Sequence, residues 1–219
     1  LKKYYNIQTK KYEILPGTES FIILDSYRDK TPVLKNSECT VHDIGDSVLC
    51  LEFTSKSNSI GEGIGKGLNE IIQLAEDGNW KGLVIGNNAK QFSVGANLMN
   101  IGMFAMQKQF DVLERFVDDF QSINMRIRTS KIPVVVATQG YVFGGGCEIS
   151  MHCDAGIYAS ESYIGLVEVG VGLLPGGGGT KEFALRASDD FFEGDVQNPT
   201  LINYLKSIAT AAVSTSAYE

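Results

Sequence analysis

Long apolar runs are missing from this sequence. No stretch reaches the roughly eighteen residues a membrane-spanning helix needs, and no signal-peptide pattern opens the chain. Histidine is scarce, with His42 and His152 alone, and the four cysteines (Cys39, Cys50, Cys147, Cys153) form no C-x-x-C pair. That spacing excludes a zinc knuckle and a secreted-type disulfide framework. His152, Cys153 and Asp154 are contiguous, but neighbours on a strand point to opposite faces and do not converge on one ion. No metal site is therefore expected, and His152 reads as a satisfied structural histidine. Basic residues are also few. Nineteen Lys+Arg against 26 Asp+Glu leave a net charge of −7, which argues against nucleic acid or an anionic membrane as partner. It does not exclude a local basic pocket for a phosphorylated small molecule. The thiols are read as reduced and the protein as cytoplasmic.

Nucleotide-loop patterns are missing too, although the chain holds 24 glycines. Gly61-Glu62-Gly63-Ile64-Gly65-Lys66-Gly67 superficially resembles a phosphate loop. Ile60 and Gly67 occupy the positions where that loop requires Gly and Ser/Thr. Neither Gly144-x-Gly146 nor Gly170-x-Gly172 completes a G-x-G-x-x-G, so no NAD fingerprint is present.

The 219 residues, 43% hydrophobic and 21% charged, suit one soluble globular domain, or a domain with an extension. Residues 1–45 are polar and aperiodic, with turn signals at Pro16-Gly17 and Thr31-Pro32, and read as an extension or linker. Residues 46–219 read as the domain. Alternation predicts a strand over Ser47–Phe53. A helix is expected from about Gly63 to Glu76, with Ile64, Leu68, Ile71, Ile72 and Ala75 on one face. Gly82–Gly86 is a short buried-type strand. Three- and four-residue spacing of Phe110, Leu113, Phe116, Val117, Phe120, Ile123 and Ile127 predicts one long amphipathic helix over Phe104–Arg128. Pro133–Thr138 is a β-branched strand. Ala155–Ala159 and Tyr163–Gly165 look like two strands flanking a turn, and Asn198–Val213 is helical. Strands alternating with helices give an α/β class. The start at Leu1 and the stop at Glu219, just after a helical segment, suggest a piece excised from a longer polypeptide.

Two glycine-rich units each carry a glutamate: Gly144-Gly145-Gly146-Cys147-Glu148, and Glu168-Val169-Gly170-Val171-Gly172 running on to Gly176-Gly177-Gly178-Gly179. Glycine lets the backbone approach a ligand and leaves amide N–H groups free to point at it. A carboxylate beside such amides can exchange protons with what they hold, so the pair suggests an oxyanion site served by two acid/base groups. The alternative is that each glutamate only complements a helix N-terminus. Cys147 reads as a small packing hydrophobe rather than a nucleophile.

Lys90-Gln91-Phe92-Ser93-Val94-Gly95-Ala96-Asn97-Leu98 resembles the F-x-x-G-A-D segment of the crotonase (enoyl-CoA hydratase/isomerase) superfamily. Gly144–Glu148 resembles its G-G-G-x-E segment, and Tyr163–Glu168 with Leu174–Thr180 resembles its F-G-x-P-E…P-G-x-G-G-T segment. The three motifs lie in order across roughly residues 47–186. The resemblance implies a crotonase-like (ClpP/crotonase) superhelix of repeated ββα units, with the C-terminal helical part truncated here. It implies an oxyanion hole from the N–H groups of Ala96 and Gly145, with Gly95, Gly144 and Gly176 lining the substrate. Glu148 would activate a water and Glu168 would exchange the α-carbon proton. Two glutamates favour hydration of a trans-2-enoyl-CoA. An enoyl-CoA isomerase, another crotonase reaction or a non-catalytic acyl-CoA-binding domain stays open. Asn97 stands where Asp is usual, and Val167 where Pro is common. No cofactor is implied in this domain beyond the coenzyme A of the substrate; Lys56 and Lys90 are candidates for its phosphates.

The chain further resembles the hydratase domain of bacterial 3-hydroxyacyl-CoA dehydrogenase fusions. That implies an NAD-dependent dehydrogenase domain upstream in the same polypeptide, and a trimer-type homo-oligomer in the full-length protein.

Overall fold

The computed structural model describes residues 3–18, 21–196 and 198–218. Strands β1 (Lys3–Asn6) and β2 (Lys11–Ile14) form an exposed antiparallel hairpin of their own. The main sheet has six strands in sequence order: β3 (Leu34–Lys35), β4 (Cys39–Gly45), β5 (Val48–Phe53), β6 (Gly82–Gly86), β7 (Val134–Phe143) and β8 (Ala155–Gly165). β3, β4 and β5 pair antiparallel, whereas β5 to β8 pair in parallel. Parallel neighbours need crossovers. Helix α1 (Glu62–Asp77) supplies the first, α2 (Leu98–Met106) and α3 (Phe110–Arg128) the second, and α4 (Gly145–His152) the third. Helices α5 (Gly179–Asp189) and α6 (Asn198–Ala209) follow the sheet. The α/β class read from the sequence is thus the observed one.

Alternation on β5 sends Leu49, Leu51 and Phe53 into the core, where Ile64, Leu68, Ile71, Ile72 and Ala75 of α1 meet them, as the helical spacing predicts. The Gly61–Gly67 cluster is explained here by packing. A Cβ on Gly65 would lie 2.6 Å from Ile123 Cδ1, and one on Gly67 would collide with Cys39 Sγ. Both glycines let α1 settle close against α3 and β4. The N-terminus of α1 is met by Glu38, whose carboxylate accepts from Ile64 N–H at 3.0 Å.

Three expectations need correction. First, the sheet reaches into residues 1–45: Cys39 and Val41 of β4 are core residues, and Leu24 is buried. His42 and Glu52 are buried together at 2.9 Å, and Arg28 bonds the same carboxylate at 2.6 Å. Second, the helix expected over Phe104–Arg128 is two helices, broken at Gln107–Gln109, where Lys108 takes a φ of 56°. Third, Ala155–Gly165 is one strand. It keeps its pairing with β7 on both sides of an irregularity near Gly140, so the expected turn is a bulge.

Among the described residues no helix is long and apolar enough to cross a membrane.

Candidate active site

The site forms where β7 and β8 end. β7 stops at Phe143, Gly144 turns the chain, and α4 starts at Gly145. Gly144 sits at φ 50°, ψ −120°, a conformation that strains any residue with a Cβ. A Cβ there would also stand 2.9 Å from Glu168 Oε1. Its N–H donates to Gly165 O at 3.0 Å, tying the end of β7 to the end of β8 just before Glu168.

The Phe92–Asn97 segment is pinned beside this turn. Phe92 is fully buried against Phe53, with ring centroids 5.3 Å apart. Ser93 N–H donates to Tyr141 O at 2.9 Å, and Phe143 N–H donates to Ser93 O at 3.0 Å. The Ser93 hydroxyl donates to Asn58 O at 2.7 Å and accepts from Gly95 N–H at 3.1 Å. Gly95 has a φ of 90°, and a Cβ on it would lie 3.3 Å from Gly145 N. The segments carrying Ala96 and Gly145 are therefore in contact. Neither Ala96 N–H nor Gly145 N–H donates a hydrogen bond to another described residue. Asn97 caps α2, its Oδ1 accepting from Met99 N–H at 3.2 Å, a task an Asp performs equally well.

Glu148 lies on α4 and is 2% exposed. Gly179 N–H donates to its Oε1 at 2.8 Å, and the Gly177 and Gly178 amides lie close enough to favour its charged form. Burial pushes its pKa up to about 7. The Gly179 amide opposes that rise, the charge of Glu168 adds to it, and the Gly177 and Gly178 amides oppose it. Glu168 opens a short 3-10 turn, Glu168–Val171. Burial raises its pKa as well, opposed by its own backbone N–H. Its Oε2 is buried without a partner among the described residues. Two carboxyls with raised pKa values, Glu148 in the field of Glu168, lining one apolar cleft, make a functional-site candidate on physical grounds.

Ala96, Gly95, Gly144, Gly145, Glu148, Glu168 and Gly176 all line one cavity of about 280 Å³. α2 contributes Leu98 and Ile101 to its wall, and α3 contributes Leu113, Phe116, Val117 and Phe120. The apolar face predicted for α3 thus divides, with its first half facing the cavity and Ile123 and Ile127 in the core. Lys56 and Lys90 are exposed and do not line this cavity.

Sequence reasoning misses the support of the glycine loop. Asn124, fully buried in α3, donates to Gly177 O at 2.7 Å, and Gln121 donates to Gly176 O at 2.6 Å. A polar residue interrupting the apolar stripe of α3 is the signal that points to Asn124. Behind Glu148, His152 is buried, with Nδ1 2.6 Å from Glu148 O and Nε2 3.0 Å from Lys181 Nζ. Glu182 completes this cluster with Lys181 and Arg128. His152 is therefore a hydrogen-bonded structural histidine. Cys147 is buried in a small cluster with Leu166 and Ile208, and burial lifts its thiol to about 12, which leaves it unreactive.

The chain belongs to the enoyl-CoA hydratase/isomerase family, whose model matches residues 43–193. It is 42% identical over 210 residues to a Bacillus subtilis protein named probable 3-hydroxyacyl-CoA dehydrogenase, covering 95% of this chain and 26% of that protein. It is 25% identical over 152 residues to the fatty acid oxidation complex subunit alpha of Psychrobacter sp. PRwf-1, covering 68% of this chain and 21% of that protein. The chain spans about a quarter of the length of these curated relatives. The crystal structure of an enoyl-CoA hydratase from Polaromonas sp. JS666 superposes with a TM-score of 0.71. That match covers 82% of this chain and 65% of that chain at 20% identity, so the crotonase-like fold is shared.

Proposed function

We propose that this chain is the enoyl-CoA hydratase domain of a fatty-acid β-oxidation enzyme, adding water across the double bond of a trans-2-enoyl-CoA. The observation that carries the reading is the meeting of Glu148 and Glu168 in one apolar cavity with the Ala96 and Gly145 amides.

In this mechanism the thioester oxygen of the substrate accepts from the N–H groups of Ala96 and Gly145. Negative charge grows on that oxygen as water attacks the β-carbon. Fixed donors aimed at it stabilise the transition state, one such donor being worth about 3–4 kcal/mol in a well-measured case. Glu148 takes a proton from the attacking water, and Glu168 delivers one to the α-carbon. One hydroxyl and one hydrogen are added, and passing a proton from Glu148 back to Glu168 resets the pair. Gly176 leaves room beside the water. No cofactor is needed beyond the coenzyme A of the substrate.

The relatives support placing the domain in a larger polypeptide with a 3-hydroxyacyl-CoA dehydrogenase, which would oxidise the hydration product with NAD. A cytoplasmic location and a trimer-type homo-oligomer of the full-length protein belong to the same reading.

The test is loss of the conjugated enoyl-thioester absorbance on adding crotonyl-CoA. Glu148→Gln and Glu168→Gln should each lower kcat by about 10²–10⁴-fold. Variants that match the parent rate would rule out the two-glutamate mechanism, and a product with a shifted double bond would identify an isomerase instead.

A further inference from the structure

Phe116 and Phe120 stand one turn apart on α3, on the same face, and line two cavities at once. On one side is the cavity holding Glu148 and Glu168. On the other is a cleft of about 240 Å³ between α1 and α3, walled by Ile60, Gly65 and Ile123. The Phe120 ring is wedged in place: a Cβ on Gly145 would lie 3.1 Å from its Cζ, and one on Gly177 would collide with the ring. At Gly65 the cleft is bounded by the α1 backbone and by Ile123, whose Cδ1 stands close to where a Cβ on Gly65 would lie. The cleft leads out past Lys66, Asn69 and Asp119.

We propose that Phe116 and Phe120 are the end wall of the acyl cavity and set the length of acyl chain the site accepts. The inference rests on the acyl-CoA reading above. An acyl chain held by its thioester at Ala96 and Gly145 runs along α3 and meets the two rings. The space beyond them exists but is closed off by aromatic carbon. Anchored by Asn124 and Gln121 to the glycine loop, α3 cannot swing the wall aside without disturbing the amides on Glu148.

The experiment compares butyryl-CoA with dodecanoyl-CoA binding by calorimetry, and hydration of the matching trans-2-enoyl-CoAs, in the full-length protein. Phe120→Ala joins the two spaces. Each methylene then buried adds about fourfold in affinity, so the dodecanoyl-to-butyryl affinity ratio should rise at least about tenfold, and the kcat/KM ratio with it. Phe116→Ala should shift both ratios in the same direction, which keeps the test informative if Phe120→Ala folds poorly. Unchanged ratios in both variants overturn the wall, as does an Ile101→Ala variant that shifts them while the Phe variants do not. A protein that binds both esters but hydrates neither enoyl analogue sinks the hydratase reading and leaves the wall to be decided by the affinity ratio. A protein that binds neither ester overturns both.

Discussion

The side-chain amide of Asn124 donates to the carbonyl of Gly177 at 2.7 Å, and this bond aims a neighbouring amide at Glu148. In a trans peptide the C=O and the following N–H point in opposite directions. Holding the Gly177 carbonyl toward α3 therefore turns Gly178 N–H toward the carboxylate. Gln121, holding the Gly176 carbonyl, does the same for Gly177 N–H. The helix that lines the cavity thus also orients backbone amides toward the Glu148 carboxyl.

Asn124→Leu should lower kcat on crotonyl-CoA by about tenfold or more while leaving KM little changed. Those amides hold the Glu148 pKa down, so weakening them should move the Glu148-linked limb of the pH profile to higher pH. A variant that loses stability with an unshifted profile would reduce Asn124 to packing alone.

Glu148 should cost the fold stability at working pH. Its folded pKa of about 7 lies above the usual 4.5. Below 4.5 the carboxyl is protonated in both the folded and unfolded chains. Between 4.5 and 7 the unfolded chain ionises first, so stability falls as pH rises. Above 7 the full cost is present, about 3 kcal/mol. Glu148→Gln should therefore raise Tm at pH 8 by roughly 5 °C or more and leave it nearly unchanged at pH 4.5, while activity is lost. An equal effect at both pH values would show that ionisation is not the cause.

Glu168→Gln should lower the pKa of Glu148, because the charge of Glu168 is one cause of its rise. The value should stay above 4.5, since burial is the larger cause and remains. Carboxyl ¹³C NMR titration of Glu148 in parent and variant reads this directly. An unmoved titration would mean that the two carboxyls do not sense each other.

Gly144→Ala should abolish hydration out of proportion to its effect on folding. The new methyl would meet Glu168 Oε1 at 2.9 Å in a backbone with a φ of 50°. Gly172→Ala is the matched control. It shares a positive φ, 79°, but has nothing within 4 Å. Gly172→Ala, in the left-handed helical region, should cost about 1–2 kcal/mol in chemical denaturation, and Gly144→Ala, at ψ −120° outside that region, more. Loss of about 100-fold or more in kcat should follow from Gly144→Ala alone.

The residues that bring backbone to the site were legible because glycine and carboxylate leave a local signature: Gly95, Gly144, Gly145, Glu148 and Glu168 all reach the cavity. What escaped was decided by partners distant in sequence. β4 reads as polar because Thr40 and His42 are buried against other groups rather than solvated; His42 meets Glu52, which Arg28 also holds. The break between α2 and α3 carries neither Gly nor Pro, so the helical spacing runs through it unmarked. Asn124 is explained only by a carbonyl 53 positions away.

A chain starting at residue 46 should fail to fold, because the domain uses residues that a reading of 1–45 as linker would discard. Removal of β4 strips Cys39 and Val41 from the core and leaves one edge of β5 unpaired. Burial of each large apolar side chain is worth about 1.5–3 kcal/mol. Glu52, 2% exposed, would also lose both His42 and Arg28, and a buried charge deprived of its partners costs about 3–5 kcal/mol. Together these losses approach the whole stability of a typical domain. Removing residues 1–18 instead takes away only the β1–β2 hairpin, which pairs with itself and outside the main sheet. That shorter deletion should retain a cooperative thermal transition, measured by circular dichroism, and the longer one should show none. A cooperative transition in the chain starting at residue 46 would return the domain boundary to β5.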